Sequence, residues 1–131
     1  MSNSVVIVTG ASSGIGKATA LRLARDHECV VLSAQNRDAL EAVAAQIRAM
    51  GKQALAVPAD LSRPEAAETV IGAALQAHGR LDALVNVAGA VPGLDVFAMT
   101  DAQWDSGLAL KFHGARRLTL CAWEALRASH G

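Results

Sequence analysis

Residues Ser4 to Gly16 constrain the chain more than any other stretch. Four consecutive β-branched residues, Val5 to Val8, suit a strand buried on both faces, and Thr9-Gly10-Ala11-Ser12-Ser13-Gly14-Ile15-Gly16 comes next as a turn running into a helix. In that order the parts make an anion site. Gly10 permits the tight turn, Gly14 lets a pyrophosphate approach bare backbone, and Gly16 lets helix and strand pack closely. Ser12, Ser13 and Ile15 complete the expected cradle, with the N–H groups of the first helical turn facing the phosphates.

The rest of the chain repeats strand and helix. After Gly14, residues Ile15, Thr19, Ala20 and Leu23 gather on one side of a helix that ends near His27, and Val30 to Leu32 form a second apolar run. Strand, helix and strand thus occupy about 30 residues, the size of a βαβ unit with a right-handed connection. Asp38 to Met50 carries Leu40, Val43, Ala44 and Ile47 on one stripe and stops at Gly51. Gln53 to Pro58 reads as a third strand. Ser62-Arg63-Pro64-Glu65 reads as a capping box opening a third helix, with Ala66, Val70, Ile71, Ala74 and Leu75 inward and His78 in its last turn. Leu81 to Val85 is the fourth strand, ended by Asn86-Val87-Ala88-Gly89.

A loop of small and apolar residues, Gly89 to Met99, is expected to be mobile and to touch substrate. Thr100-Asp101-Ala102-Gln103 then caps a long helix reaching Ser129, with Trp104, Leu108, Ala115, Leu118, Ala122 and Leu126 on one stripe. Its 28 or so residues span roughly 40 Å. Lys111 falls on that inward stripe, where a charge needs a partner, a polar cavity or a route for its ammonium back to water.

Composition excludes several classes of function. The formal net charge is zero, so no basic face advertises nucleic acid, and no apolar run approaches the roughly 18 residues of a membrane helix. The chain of 131 residues is expected to be one soluble domain. Met1 to Ser4 run into the first strand without an export signal, so the cytoplasm is the expected compartment. Cys29 and Cys121 lack metal spacing and are expected to be buried thiols without a disulfide.

Thr9-Gly10-x-x-x-Gly14-x-Gly16, together with a strand ending in Asn86-x-Ala88-Gly89 that begins its signature 70 residues after Gly16, resembles the short-chain dehydrogenase/reductase family, most closely its 3-oxoacyl-[acyl carrier protein] reductase branch. The resemblance implies an α/β, Rossmann-like parallel sheet in the order 3-2-1-4 with helices on both faces. Residues 1–131 then form an NAD(P)-binding domain whose crevice lies between the first and fourth strands. It implies an oxidoreductase moving hydride between a nicotinamide and a carbonyl or secondary alcohol. It also implies that Asp60 and Leu61 meet the adenine, that Asn86 pins the central strands, and that Ala88 and Gly89 leave room for the nicotinamide-side ribose. The alternative for Asp60 is a plain turn residue. Ala34-Gln35-Asn36-Arg37 lacks the acidic residue that would hold an NAD ribose, which tilts the expected cofactor toward NADP. Arg37 either reaches the 2'-phosphate or is solvated at a helix start. Val87 and Lys111 stand where the family usually has asparagines.

The family's proton donor is a tyrosine, tuned by a lysine four residues along and assisted by a serine, and this chain contains no tyrosine. The sequence is therefore expected to stop before the fifth strand and to be catalytically silent alone, as a fragment of an oxidoreductase or as a nucleotide-binding or interaction module. A fourth strand with an open edge, and a helix in the family's subunit-interface position, predict a homo-oligomer. Sedimentation at micromolar concentration is expected to show oligomers or aggregates. A compact monomer with a sharp thermal transition contradicts that expectation.

Overall fold

The computed structural model describes residues 3–89, 93 and 95–131. Its centre is β1 (Val5–Thr9), all five residues of which are buried. Around it run α1 (Gly14–Leu23), β2 (Cys29–Ala34), α2 (Arg37–Ala49), β3 (Gln53–Pro58), α3 (Ala66–His78) and β4 (Ala83–Val85). A 3-10 turn (Val96–Ala98), α4 (Asp101–Leu108), a π-helical stretch (Ala109–Gly114) and α5 (Ala115–Ser129) complete the chain. The strands form one parallel sheet in the order β3-β2-β1-β4, as the sequence implied. Val6 pairs with Val30 on one side and Ala83 on the other, so the strand order reverses at β1.

The unbroken apolar run of β1 is explained by the layers that cover it. Val5 and Ile7 face one built from Val70, Ile71 and Ala74 of α3 and Leu118 and Ala122 of α5. Val6 and Val8 face the opposite layer, with Ala20 of α1 and Leu40, Val43 and Ile47 of α2. Each such side chain contributes about 1.5–3 kcal/mol when fully buried, and an alternating strand would have left one layer unattached.

Several elements differ from expectation. Ile15 does not join the buried stripe of α1, which consists of Gly16 and Ala20 and continues to Ala24; Ile15 is 76% exposed and turns outward at the first helical turn. The Ser62–Glu65 box does not cap α3, which starts at Ala66 without a side-chain cap. Ser62 instead donates to Asp60, in a turn completed by the Arg63 N–H to Asp60 carbonyl bond. The capping box at Thr100 and Gln103 does form, but the helix after it is not uniform. Its π-helical stretch slips the apolar stripe, so Leu118 and Ala122 are buried while Trp104 and Leu108 are 43% and 47% exposed. Cys121, expected to be buried, is exposed. Cys29 is buried, and its Sγ lies 3.0 Å from Nε2 of His78, tying the last turn of α3 to β2. Much of the expected substrate loop, residues 90–92 and 94, lies outside the described residues; Asp95 caps the 3-10 turn beyond it.

At the sheet's N-terminal end, Asp82 fixes where β4 enters. Its backbone N–H donates to the Val5 carbonyl at 2.8 Å, and its carboxylate accepts from the Val5 N–H at 2.8 Å and from the Arg80 guanidinium. The Arg80 hydrogen bond, helped by that from Val5, holds the Asp82 carboxyl below its ordinary value of 3.8 despite its burial. A depressed carboxyl contributes stability above its unfolded value and loses it as pH falls through the folded one. Urea unfolding between pH 5 and 3 is therefore expected to show stability falling from about pH 4 downward, and Asp82→Asn to lower stability at pH 7 and flatten that acid limb. An unchanged acid limb in Asp82→Asn would exclude this source.

Candidate functional site

The C-terminal ends of the parallel strands open into a cavity of about 390 Å³, a size suited to part of a small-molecule ligand. It sits where the strand order reverses, between β1 and β4. Gly10, Ser12, Ser13, Gly14, Ile15 and Gly16 line one wall, Ala34, Gln35, Ala59 and Leu61 the second, and Val87, Ala88, Gly89 and Leu110 the third.

The glycine wall is built by three different constraints. Gly10 has φ of 62°, and a β-carbon on it would stand 3.0 Å from the Cα and N of Ala88, so a side chain here would push the end of β4 away. A β-carbon on Gly16 would lie 1.9 Å from the Gly10 carbonyl oxygen; the helix begins in direct backbone contact with the turn. Gly14 has φ of 54° and nothing within 4 Å of its missing β-carbon, so the backbone there faces open space. Ser13, the N-cap of α1, makes no side-chain hydrogen bond to the helix, and no acidic residue occupies the first turn. The first-turn N–H groups and the positive end of the helix dipole are thereby left to an external anion.

Thr9 joins the glycine wall to the third. Its buried Oγ1 accepts hydrogen bonds from the N–H groups of Val87 and Ala88, both at 3.0 Å. Asn86, expected to pin the central strands, does not; its side chain is exposed and donates to Thr119 Oγ1 of α5 at 3.4 Å. Thr9 does the pinning because its hydroxyl, at the end of β1, is within reach of the backbone that follows β4, whereas the Asn86 amide bonds to α5 instead.

Two other expected site residues stand outside the cavity lining. Arg37 is the exposed first residue of α2, whose N-cap Asn36 accepts from the Ala39 N–H at 3.0 Å. Asp60 lies between the lining residues Ala59 and Leu61, and its Oδ1 accepts from the Ser62 N–H, the Ser62 hydroxyl and Gln35 Nε2. The hydroxyl bond holds the Asp60 carboxyl below its usual value, so this carboxylate stays charged while it organises the turn. Gly89 lines the cavity, but the space over it is taken: a β-carbon there would be 2.7 Å from Cδ and 3.3 Å from Nζ of Lys111. Lys111 itself is exposed rather than inward, so its ammonium needs no buried partner.

Sequence reasoning missed Ala34, Gln35, Ala59, Val87 and Leu110 as lining residues. Four of these sit just at or after the ends of β2, β3 and β4, and the rule that ligands bind outside the carboxyl ends of parallel strands would have found them. Leu110 belongs to the π-helical stretch, for which the sequence carries no comparable signal.

Comparison with known proteins gives one answer for the family. The short chain dehydrogenase family model matches residues 4–131. The chain is similar to a 1,6-dihydroxycyclohexa-2,4-diene-1-carboxylate dehydrogenase of Acinetobacter baylyi, with 47% identity over 66% of this chain and 33% of that protein. It is similar to a 3-oxoacyl-[acyl-carrier-protein] reductase of Synechocystis, with 40% identity over 84% of this chain and 45% of that one. Among solved structures, a metagenomic short-chain oxidoreductase in complex with NADP superposes with a TM-score of 0.91 at 37% identity, over 98% of this chain and 59% of that chain. The chain thus spans about a third to a half of the length of these two protein relatives.

The Thr9 hydroxyl gives a direct test of how the walls are joined. Thr9→Val keeps the shape but leaves two partly buried N–H groups without their acceptor, and is expected to cost about 2 kcal/mol. Chemical denaturation measures the loss, and Thr9→Ser is expected to recover most of it.

Proposed function

The chain belongs to the short-chain dehydrogenase family, and from that membership we propose that it seats NADP(H) in the crevice between β1 and β4, as the cofactor half of an oxidoreductase acting on a carbonyl or secondary alcohol. The observation that carries the proposal is the glycine wall: a helix start with no capping side chain, an open backbone face at Gly14, and a cavity bounded by Gly10 and Ala88. Those features fit a pyrophosphate. When bound, the nicotinamide would supply the hydride; the chain's own residues bind and orient.

In this reading Gly10, Ser12, Ser13, Gly14, Ile15 and Gly16 hold the pyrophosphate. Leu61 and the backbone around Asp60 bound the adenine, and Ala88 and Gly89 border the nicotinamide-side ribose. Asn86 ties that wall to Thr119 of α5. NADP is favoured over NAD because the solved relative is a complex with NADP and because Gln35 and Arg37, with no acid between them, come directly after β2. The sequence holds no tyrosine to act as the family's proton donor, so the proposed property of these 131 residues is binding rather than turnover. Trp104, Phe112, Leu120 and Trp123, between 43% and 64% exposed on the C-terminal helices, support self-association of the chain.

Fluorescence titration with NADPH tests the seat. The β-carbon of Gly14→Asp meets no atom within 4 Å, and the strain of a side chain at φ of 54° is shared with Gly14→Asn, but Asp alone brings a carboxylate to the phosphates. At about 5 Å and an effective dielectric of about 20, two unit charges repel by roughly 3 kcal/mol, over a hundredfold in affinity. Gly14→Asn is expected to bind far better than Gly14→Asp; equal titrations of wild type and Gly14→Asp would refute the seat. Arg37→Ala is expected to weaken NADPH more than NADH. Equal effects on the two cofactors would remove Arg37 as the reader of the 2'-phosphate.

A further inference from the structure

We propose that Lys111 is an anion-recognition residue at the Gly89 end of the crevice, and that the molecule held there presents a carboxylate or phosphate to its ammonium. The inference deepens the proposed function and relies on it for the position of the cofactor. The absence of a side chain at Gly89 is what lets Lys111 in.

Gly89 and Leu110 both line the cavity, and Lys111 is the next residue after Leu110. The Lys111 stem lies in the space a β-carbon on Gly89 would fill, at 2.7 Å from Cδ and 3.3 Å from Nζ. A lysine bedded in this way has lost part of its rotamer freedom before any ligand arrives, so less entropy opposes binding. Among the described residues it forms no ion pair, which is also true of Lys17, Arg25, Arg37, Arg116 and Arg117; what sets Lys111 apart is its contact with Gly89 of the cavity lining. The residue is held out of the core yet against the crevice rim.

The backbone explains how it came to be there. Lys111 lies in the π-helical stretch, whose end, Gly114, is buried so tightly that a β-carbon would stand 2.7 Å from the Leu61 carbonyl oxygen. That contact anchors the stretch to the second wall. The wider turn then changes the direction of residue 111 relative to a regular helix. An ammonium has three donors and no acceptor, so the group it selects is an acceptor, best a charged one. Across the cavity, the start of α1 provides a second positive feature, and the Asp60 carboxylate, between the lining residues Ala59 and Leu61, is engaged by Ser62 and Gln35. A crevice with two such ends suits a phosphate at one and an acidic group at the other.

The test uses the 131-residue chain with sodium benzoate as carboxylate probe, benzamide as its neutral counterpart, and NADP. Each is titrated calorimetrically against wild type, Lys111→Met and Lys111→Arg. Lys111→Met is expected to weaken benzoate about fivefold, as for a partly exposed ion pair, to leave benzamide unchanged, and to be rescued by Lys111→Arg. If NADP is unaffected by Lys111→Met and benzoate still binds with NADP present, the anion belongs to the substrate. If Lys111→Met also weakens NADP, and benzoate competes with it, the anion is the cofactor's phosphate. Failure of wild type to bind NADP while benzoate keeps its dependence on Lys111 overturns the cofactor seat and leaves this inference standing. Wild type that binds no benzoate and loses no NADP affinity in Lys111→Met overturns it, as does equal weakening of benzoate and benzamide.

Discussion

The backbone contact between Gly10 and Gly16 is the constraint on which the rest of the structure depends. The Gly10 carbonyl lies where a side chain on Gly16 would have to go, and the Cα of Ala88 closes on Gly10 from the other side. Three backbones therefore converge at one point with no side chain between them. This sets how closely α1 approaches β1, and how closely β4 can pair beside it. A sheet packed at that spacing leaves its crevice lined by main chain and small side chains, the surface a phosphate can use.

Periodicity and glycine made most of the fold legible in the sequence. The run Val5–Val8 predicted a strand covered on both faces, and the structure shows two separate layers meeting it. The strand order came from the family resemblance and the βαβ spacing. Gly10, Gly14 and Gly16 could be placed because each meets a steric demand that leaves few alternatives. Less legible was anything that depended on a side chain's choice between local partners. Ser62 could have capped α3 or bonded Asp60, and only the packed turn decides between them. Asn86 was the expected pin for the central strands, and Thr9 takes that place. The hydroxyl won because its position under the β4 backbone is a fact of three-dimensional register, not of spacing along the chain. The π-helical stretch was invisible for a similar reason. A heptad-like stripe continues through it in the sequence, while in the structure its end, Gly114, packs directly against the Leu61 carbonyl.

The two ends of the sheet divide the work. At the N-terminal end, Asp82, Arg80 and Val5 form a charged clasp, and His78 meets Cys29, whose thiol is pushed up to about 11 mainly by burial. These contacts hold strands in place, and a thiol so protonated is a poor nucleophile. At the C-terminal end the polar groups are few and the backbone is exposed. The clasp thus serves stability alone, whereas the glycine wall serves both: Gly10 and Gly16 set the packing of strand and helix, and Gly14, whose missing β-carbon meets open space, is left to recognition.

The pairing of β1 with β4 also has a kinetic side. Val5 and Asp82, which meet at the entrance of these strands, are 77 residues apart in the chain, whereas β1 and β2 are joined through a single short helix. Closing the longer loop carries the larger entropic cost, and it is repaid only when β4 docks on a strand already formed. The crevice exists only after that docking, because one of its walls is β4's own end. A nascent chain would therefore hold its first three strands together well before it had a site at all, and any ligand of the crevice would act on a late step of assembly.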